Sequence, residues 1–528
     1  MTATAPLGAL TGTVFPSELA MFVGLFAVVV VIGLFASRWR RGDLEQLDEW
    51  GLAGRRFGGF VSWFLQGGSI YTTYSFIAVP ALVFGKGVIG FYALPYLVLA
   101  YLVMYLTVPR LWTLARDRNY VTASDFVKDR FGSRPLAVVI ALTGIVAMVP
   151  YVALQVYGIE ICLSQIGVPV EAALIVATTV LALITYVSGL RAAALIAMAK
   201  DVLIWTTVLV AVVYIPIRLG GYTHIFHAVP PSQMALPHSE YLGFSTLAIG
   251  SALALYLYPH TFTGSLSSSA TRVSRLNAAT LPVYTIMLGL LALLGYMGIA
   301  AGVQPDAHYG ANVVVPALFQ QLFPHWFAGF ALAAVAIGAL VPASVMSIAA
   351  GSLFGRNVYG EIVAGAKAWQ FRRQAGAAPR AVSEEVAWGA DPTVKRETGM
   401  AKGASFVIKF LGVGFILAVP ATFVINFQLA GGVWIVQTLP AVFLAPFLPW
   451  LDRRAVLAGW AVGMAWGTYL LVDAHFASST VTLSIFGDHL GMYMGVPTAC
   501  ANLLVALGGS AAVAVFRRVR RAGVPAAG

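Results

Sequence analysis

The chain has 528 residues, 59% of them hydrophobic and only 10% charged, too little charge to cover a soluble protein of this length. A net charge of +11 would suit a nucleic-acid partner, but the basic residues fall in short loops between apolar runs, so no nucleic-acid surface is expected. No HExxH, P-loop, GxSxG or paired CxxC pattern occurs, so no familiar enzyme constellation is present and no cofactor is expected.

Apolar runs of membrane-spanning length recur along the chain. They predict thirteen helical spans at about 16–37, 58–84, 87–109, 135–163, 169–187, 195–217, 242–264, 278–302, 326–350, 403–422, 432–451, 455–473 and 493–515. Residues 1–15 lack Lys and Arg, so no cleavable signal peptide is expected, and "SRWRRGD" (37–43) anchors the first span. With alternate loops assigned to opposite sides, 30 of the 32 basic residues fall on one side, and only Lys86 and Arg218 lie opposite. The positive-inside rule then puts the N-terminus outside and the "RRVRR" tail (517–521) in the cytoplasm. Cys162 and Cys500 both fall within predicted spans and imply no disulfide framework.

The second span carries "FLQGGSIYTTYS" (64–75), a polar cluster behind Gly67-Gly68. Two glycines cost a helix roughly 2 kcal/mol relative to alanine, and hydroxyls in lipid need partners. The seventh span is interrupted the same way at Tyr258-Pro259-His260, where proline removes a backbone donor and frees a carbonyl about one turn earlier. Unwound backbone at membrane depth is tolerated where it lines a cavity. Spans two to six and seven to eleven form two groups of five, inverted relative to each other, each opened by a broken helix. Such paired breaks point to a transporter binding site.

The organisation expected is one continuous membrane domain in five parts. Residues 1–57 hold the external N-terminus, a flanking helix and a cytoplasmic linker, and 58–217 the first repeat. An external loop (218–241) leads to the second repeat (242–451), which contains a polar cytoplasmic linker at 352–402, and two flanking helices with the basic tail (452–528) follow. Seven of the eight histidines lie in the external loops 218–241, 303–325 and 474–492. His224 and His227 are read there as solvated residues, and no metal site is assigned.

The candidate residues follow from the breaks. If the helix re-forms after Gly68, the N–H groups near Ser69, Tyr71 and Thr72 form a helix N-terminus suited to a carboxylate. Ser251, Leu255 and Tyr258, spaced i, i+4, i+7, share one face of the seventh span. Gln155 and Gln437 are buried amides that either line the site or bond between helices. Intramembrane ionisable residues are informative because they are few; they are Glu160, Asp201 and His260. Lys200-Asp201 also reads as an interfacial ion pair, and His260 as a neutral donor to a freed carbonyl.

Five stretches in order resemble the sodium/solute symporter family. They are "FIAVPALVFGKGVIGFY" (76–92), "YVTASDFVKDRFGS" (120–133), "TYVSGLRAAALIAMAKDVL" (185–203), "YPHTFTGSLSSS" (258–269) and "RNVYGE" (356–361). The resemblance implies an all-α polytopic protein with an inverted five-helix-repeat core of the leucine-transporter type and flanking helices. It implies a secondary carrier in a bacterial inner membrane. "GALVPASVMSIAAGSLFGRNVYGE" (338–361) is similar to the family's monocarboxylate permease branch, which implies a small organic acid such as lactate or pyruvate as substrate. Asp201 stands where the family has a Thr-Asp pair, with Lys200 in place of the Thr.

One departure is expected to matter. The family's main sodium site uses two adjacent hydroxyl residues in the ninth span, and the equivalent positions are Val341 and Pro342, which have no side-chain oxygen. Ser344 and Ser347 lie on other faces of that helix. Ala339 with the carbonyls of Gly68 and Tyr71 is too small an oxygen set for a hard cation. A proton is therefore expected as the coupling ion, with Asp201 its first-choice carrier. The alternatives are a sodium-coupled symporter of another small solute and a sensor that kept the carrier fold.

Overall fold

The structure, a computed structural model, describes residues 15–39, 42–366, 392–419, 424–485 and 488–522. The central part of the expected linker 352–402 lies outside the described residues. The chain is almost wholly helical. The first part runs α1 (Pro16–Phe35), α2 (Leu47–Leu52), α3 (Gly59–Gly68), α4 (Val79–Lys86), α5 (Ala93–Asp117), α6 (Ala123–Phe131), α7 (Arg134–Gln165), α8 (Val170–Ser188) and α9 (Leu190–Arg218). Short helices α10 (Tyr222–Ala228) and α11 (Pro231–Met234) lead to α12 (Tyr241–Leu257), α13 (Pro259–Leu266), α14 (Thr271–Thr280), α15 (Tyr284–Ala300), α16 (Val314–Leu322) and α17 (His325–Leu353). The last part is α18 (Pro392–Ala418), α19 (Ile425–Ile435), α20 (Arg453–Asp473) and α21 (Gly495–Ala522).

Ten helices among the described residues are long and apolar enough to cross a membrane, so the count of thirteen is not reproduced by that measure. The difference lies in three segments. The second span is cut between α3 and α4, the fifth has a 16-residue apolar stretch (Ala173–Ser188), and the eleventh passes from α19 into 3-10 and π turns at Val436–Thr438 and Pro440–Leu444. A further difference is at 474–492, read as a loop. Strands β1 (Thr480–Ile485) and β2 (Asp488–Tyr493) pair antiparallel there, with Leu483 opposite Leu490. "TVTLSI" has the period-two alternation of a half-buried strand.

Helix α17 is the axis of the molecule. Its sequence is apolar around the whole circumference and rich in Ala and Gly, the pattern of a fully surrounded helix whose small residues admit close neighbours. It packs against α7, α1, α18 and α9. Three basic residues read as loop charges are in fact buried within helices: Arg191, Lys200 and Lys409. Arg191 bonds the Glu49 carboxylate and its backbone oxygen, and Lys409 Nζ donates to the oxygens of Ser405 at 3.3 Å. These three report on internal packing rather than on the side of the membrane.

Candidate functional site

Helix α3 ends at Gly68, and the chain then bends through Ser69–Thr72 before a π turn at Tyr74–Ala78 restarts the helix. π turns inside helices concentrate at functional sites because they misalign the backbone ladder. The N–H groups of Ser69 and Ile70 bond back to Gln66 and Gly67 at 3.2 and 2.8 Å. These two are therefore not the free donors expected from the sequence. Gln155 Oε1 accepts from the Thr73 N–H at 3.3 Å, and Thr72 Oγ1 accepts from Tyr74 N–H at 2.9 Å. Helix α7 approaches this point closely because residue 158 is glycine; a Cβ there would overlap the Thr73 side chain. Gln155 and Thr72 thus rebuild the start of the helix.

The carbonyls freed at this break have one dominant partner. Lys200, fully buried on α9, donates from Nζ to Gly68 O at 2.5 Å and to Tyr71 O at 2.8 Å. Its ammonium lies 3.2 Å from Asp201 Oδ1, and Asp201 Oδ2 accepts from the Tyr284 hydroxyl at 2.7 Å. Tyr71 donates in turn to Tyr284 O at 3.2 Å. The rings of Trp63, Tyr71 and Trp205 pack around Tyr284 and cover the pair. Lys200-Asp201 is therefore an internal ion pair at the break, not an interfacial one. Tyr284, which carries no motif, was not legible as part of this group.

The second break is held without charge. Helix α12 stops at Leu257, Tyr258 is extended, and Pro259 opens α13 at a position that needs no donor. The Tyr258 hydroxyl donates to Gln428 O on α19 at 2.9 Å, so this side chain ties two elements of the second repeat. His260 follows, only 2% exposed, with the rings of Tyr151 and Tyr258 centred 5.4 and 5.5 Å away. Neither of its ring nitrogens has a hydrogen-bond partner among the described residues.

A narrow cleft lies between the two breaks, lined by Gln66, Ser69, Tyr101, Met104, Leu255 and His260 among others. The fold therefore brings Ser69, Leu255 and His260 to one place from three segments. Gln66 and Tyr101 belong to the same cleft and were missed, although Gln66 is a polar residue just before the glycine pair. Ser251, buried and without a hydrogen bond of normal geometry, faces the Tyr92 hydroxyl. A second cleft flanks α13 and reaches Thr122 and Ser124 at the start of α6, beside Pro259 and Thr438.

None of the other candidates lines the cleft, and two of them are engaged with other parts of the bundle. Gln437 donates to Thr498 at 3.0 Å and accepts from Asn502 at 3.2 Å, so it joins the eleventh segment to α21. Glu160 accepts from the Tyr309 hydroxyl at 3.2 Å near the far end of α7. Ser344 meets Thr185 on α8 at 3.3 Å and Ser347 bonds within its own helix, so neither hydroxyl is spent on the first break. What α17 presents there is Gly338, where an added Cβ would lie 3.7 Å from Tyr71 O.

Two of the family-like stretches meet at the other end of the bundle. Asp125 completes a capping box with Thr122 and also accepts from Arg356 Nε at 2.7 Å and Asn357 Nδ2 at 2.8 Å. That carboxylate fastens α6 to the exit of α17.

Comparisons with known proteins agree with this architecture. The family model for the sodium:solute symporter family matches residues 50–378. A monocarboxylate transport permease protein of Rhizobium johnstonii is 44% identical, covering 93% of this chain and 96% of its own. An uncharacterized symporter of Bacillus subtilis, YodF, is 31% identical over 85% of this chain and 86% of its own. Among solved structures, a Na+-coupled sialic acid symporter in a substrate-bound outward-open state superposes with a TM-score of 0.67. It covers 94% of this chain and 98% of its own at 14% identity, a likeness of fold alone. An inverted-repeat bundle with two broken helices, matched over this length, identifies a membrane carrier rather than an enzyme: the chain belongs to the sodium:solute symporter family.

Proposed function

We propose that this symporter imports small monocarboxylates such as lactate or pyruvate across a bacterial inner membrane, together with a proton, and that the acid binds in the cleft between the two helix breaks. The observation that carries this reading is His260, whose two ring nitrogens are buried beside that cleft without a partner. A buried polar group without a partner costs stability unless something else satisfies it. A carboxylate does so, and an imidazolium formed with an incoming proton pairs with it by charge. Among the described residues, the ionisable groups that pack around His260 or line the cleft with it are the phenols of Tyr101, Tyr151 and Tyr258, and none of them is a carboxylate. Leu255 and Met104 offer apolar contact to a short alkyl chain. The Ser69 hydroxyl already donates to Leu65 O at 2.9 Å, which leaves its oxygen to accept from a 2-hydroxyl.

Asp201 is committed to Lys200 and Tyr284, and Glu160 to Tyr309, so the proton role moves from Asp201 to His260. The permease name of the 44% identical relative supports the substrate class. We place the C-terminal tail in the cytoplasm on the distribution of basic residues. A second reading, a sodium-coupled carrier of another solute, is favoured by family membership. Counterflow in proteoliposomes tests both: labelled two- to four-carbon acids should enter against unlabelled internal acid, and an inward pH gradient should drive accumulation in choline as well as in sodium. Stimulation by sodium alone, or no counterflow with any of these acids, would sink the reading.

A further inference from the structure

Membership of a sodium:solute symporter family implies a bound sodium ion, and the residues at the first break do not fit one. The carbonyls of Gly68 and Tyr71, left open when the helix stops, already receive an ammonium, at 2.5 and 2.8 Å. The same ammonium lies 3.2 Å from the Asp201 carboxylate. A positive charge surrounded by two carbonyls and a carboxylate in a fully buried position is the environment of a bound cation, supplied here by the chain itself. The opposing helix offers glycine and apolar side chains at this level. The hydroxyls of Ser344 and Ser347 bond elsewhere. A metal ion and the ammonium cannot share this space.

We propose that the Lys200 ammonium is a tethered cation that takes the place of the coupling sodium, so that this carrier runs without sodium. The ammonium holds α9 against the break between α3 and α4 in every turnover, with no metal ion to bind or release at this point. Three ionisable groups surround it: Asp201 on its own helix, Tyr71 at the break and Tyr284 on α15. Arg191 on the same helix is committed to Glu49. Among the described residues, no other charged group of α3, α15 or α17 pairs with the ammonium.

The uptake part of this inference rests on the transport reading, but thermal unfolding does not. Purified wild-type protein should melt at the same temperature in sodium chloride and in choline chloride. Lys200→Ala leaves Asp201 and the two carbonyls without a cation, so sodium should raise the melting temperature of this variant by several degrees. In choline its uptake should fall by more than about tenfold, because an unpaired buried carboxylate is left behind, and sodium should return part of it. Lys200→Met, which keeps the apolar stem, serves where the alanine variant fails to fold, and the wild-type measurement decides without either. A wild-type melting temperature that climbs with sodium, or a folded Lys200 variant indifferent to it, overturns the proposal. Failure of counterflow with every labelled acid would overturn the substrate reading and leave these melting results standing.

Discussion

At the first break two carbonyls are capped by an ammonium, an amide rebuilds the next helix start, and aromatic rings cover the pair. At the second break a proline opens the next helix, the Tyr258 hydroxyl reaches across to the Gln428 carbonyl of α19 rather than to the break itself, and the adjacent imidazole is left uncommitted. The two stand at matching points of inverted repeats, so symmetry explains where the chain unwinds. It does not explain how the exposed backbone is satisfied. A lysine closes the first break, whereas the second leaves an imidazole without a partner among the described residues.

Removing the charge balance at the first break should have the largest effect. Asp201→Asn strands a fully buried ammonium, and losing one partner of a buried pair costs about 3–5 kcal/mol. The variant should therefore melt far below wild type or fail to insert, as read by fluorescence-detected size exclusion on heating. Wild-type stability in this variant would mean that the two breaks do not differ as described.

His260→Gln should act at the second break alone. Losing a charge-assisted bond to the substrate costs about 1.5–3 kcal/mol, equivalent to a rise in half-saturation concentration of ten-fold or more, with little change in melting temperature. Uptake should also lose its dependence on the pH gradient. An unchanged half-saturation would place the acid elsewhere. The smallest effect is expected of Tyr258→Phe, which removes the bond to Gln428 O and should cost about 1 kcal/mol of stability. Its half-saturation concentration should stay at the wild-type value, because the hydroxyl is spent on the fold. A large rise would bring Tyr258 back into the binding site.

Both breaks were legible because Gly67-Gly68 and Pro259 are strong local punctuation in long apolar runs. The same holds for His260, Ser69 and Leu255, which lie beside that punctuation. What surrounds each break was not legible, since it depends on which helix lies opposite. Gln437 and Glu160 show this well. Periodicity gives the face a residue occupies along its own helix, and only tertiary packing decides that one meets α21 and the other Tyr309. Lys200 was visible as a charge beside Asp201, but its partners Gly68 and Tyr71 are 132 and 129 residues away. The distribution of basic residues also overcounted loop charge, because a buried lysine and a loop lysine look alike in a charge census.

Tyr493, the last residue of the hairpin, lies fully inside the bundle. Its N–H bonds Thr246 at 3.0 Å, its hydroxyl bonds Leu429 O at 2.7 Å, and its ring rests where Gly250 and Gly432 leave room for it. The hairpin therefore works as a peg through two helices of the second repeat, driven in from a part of the chain beyond the matched family region 50–378. The closing helices are thereby anchored between α12 and α19 rather than appended to the bundle, so a chain trimmed before the hairpin would leave the space beside Gly250 and Gly432 unfilled.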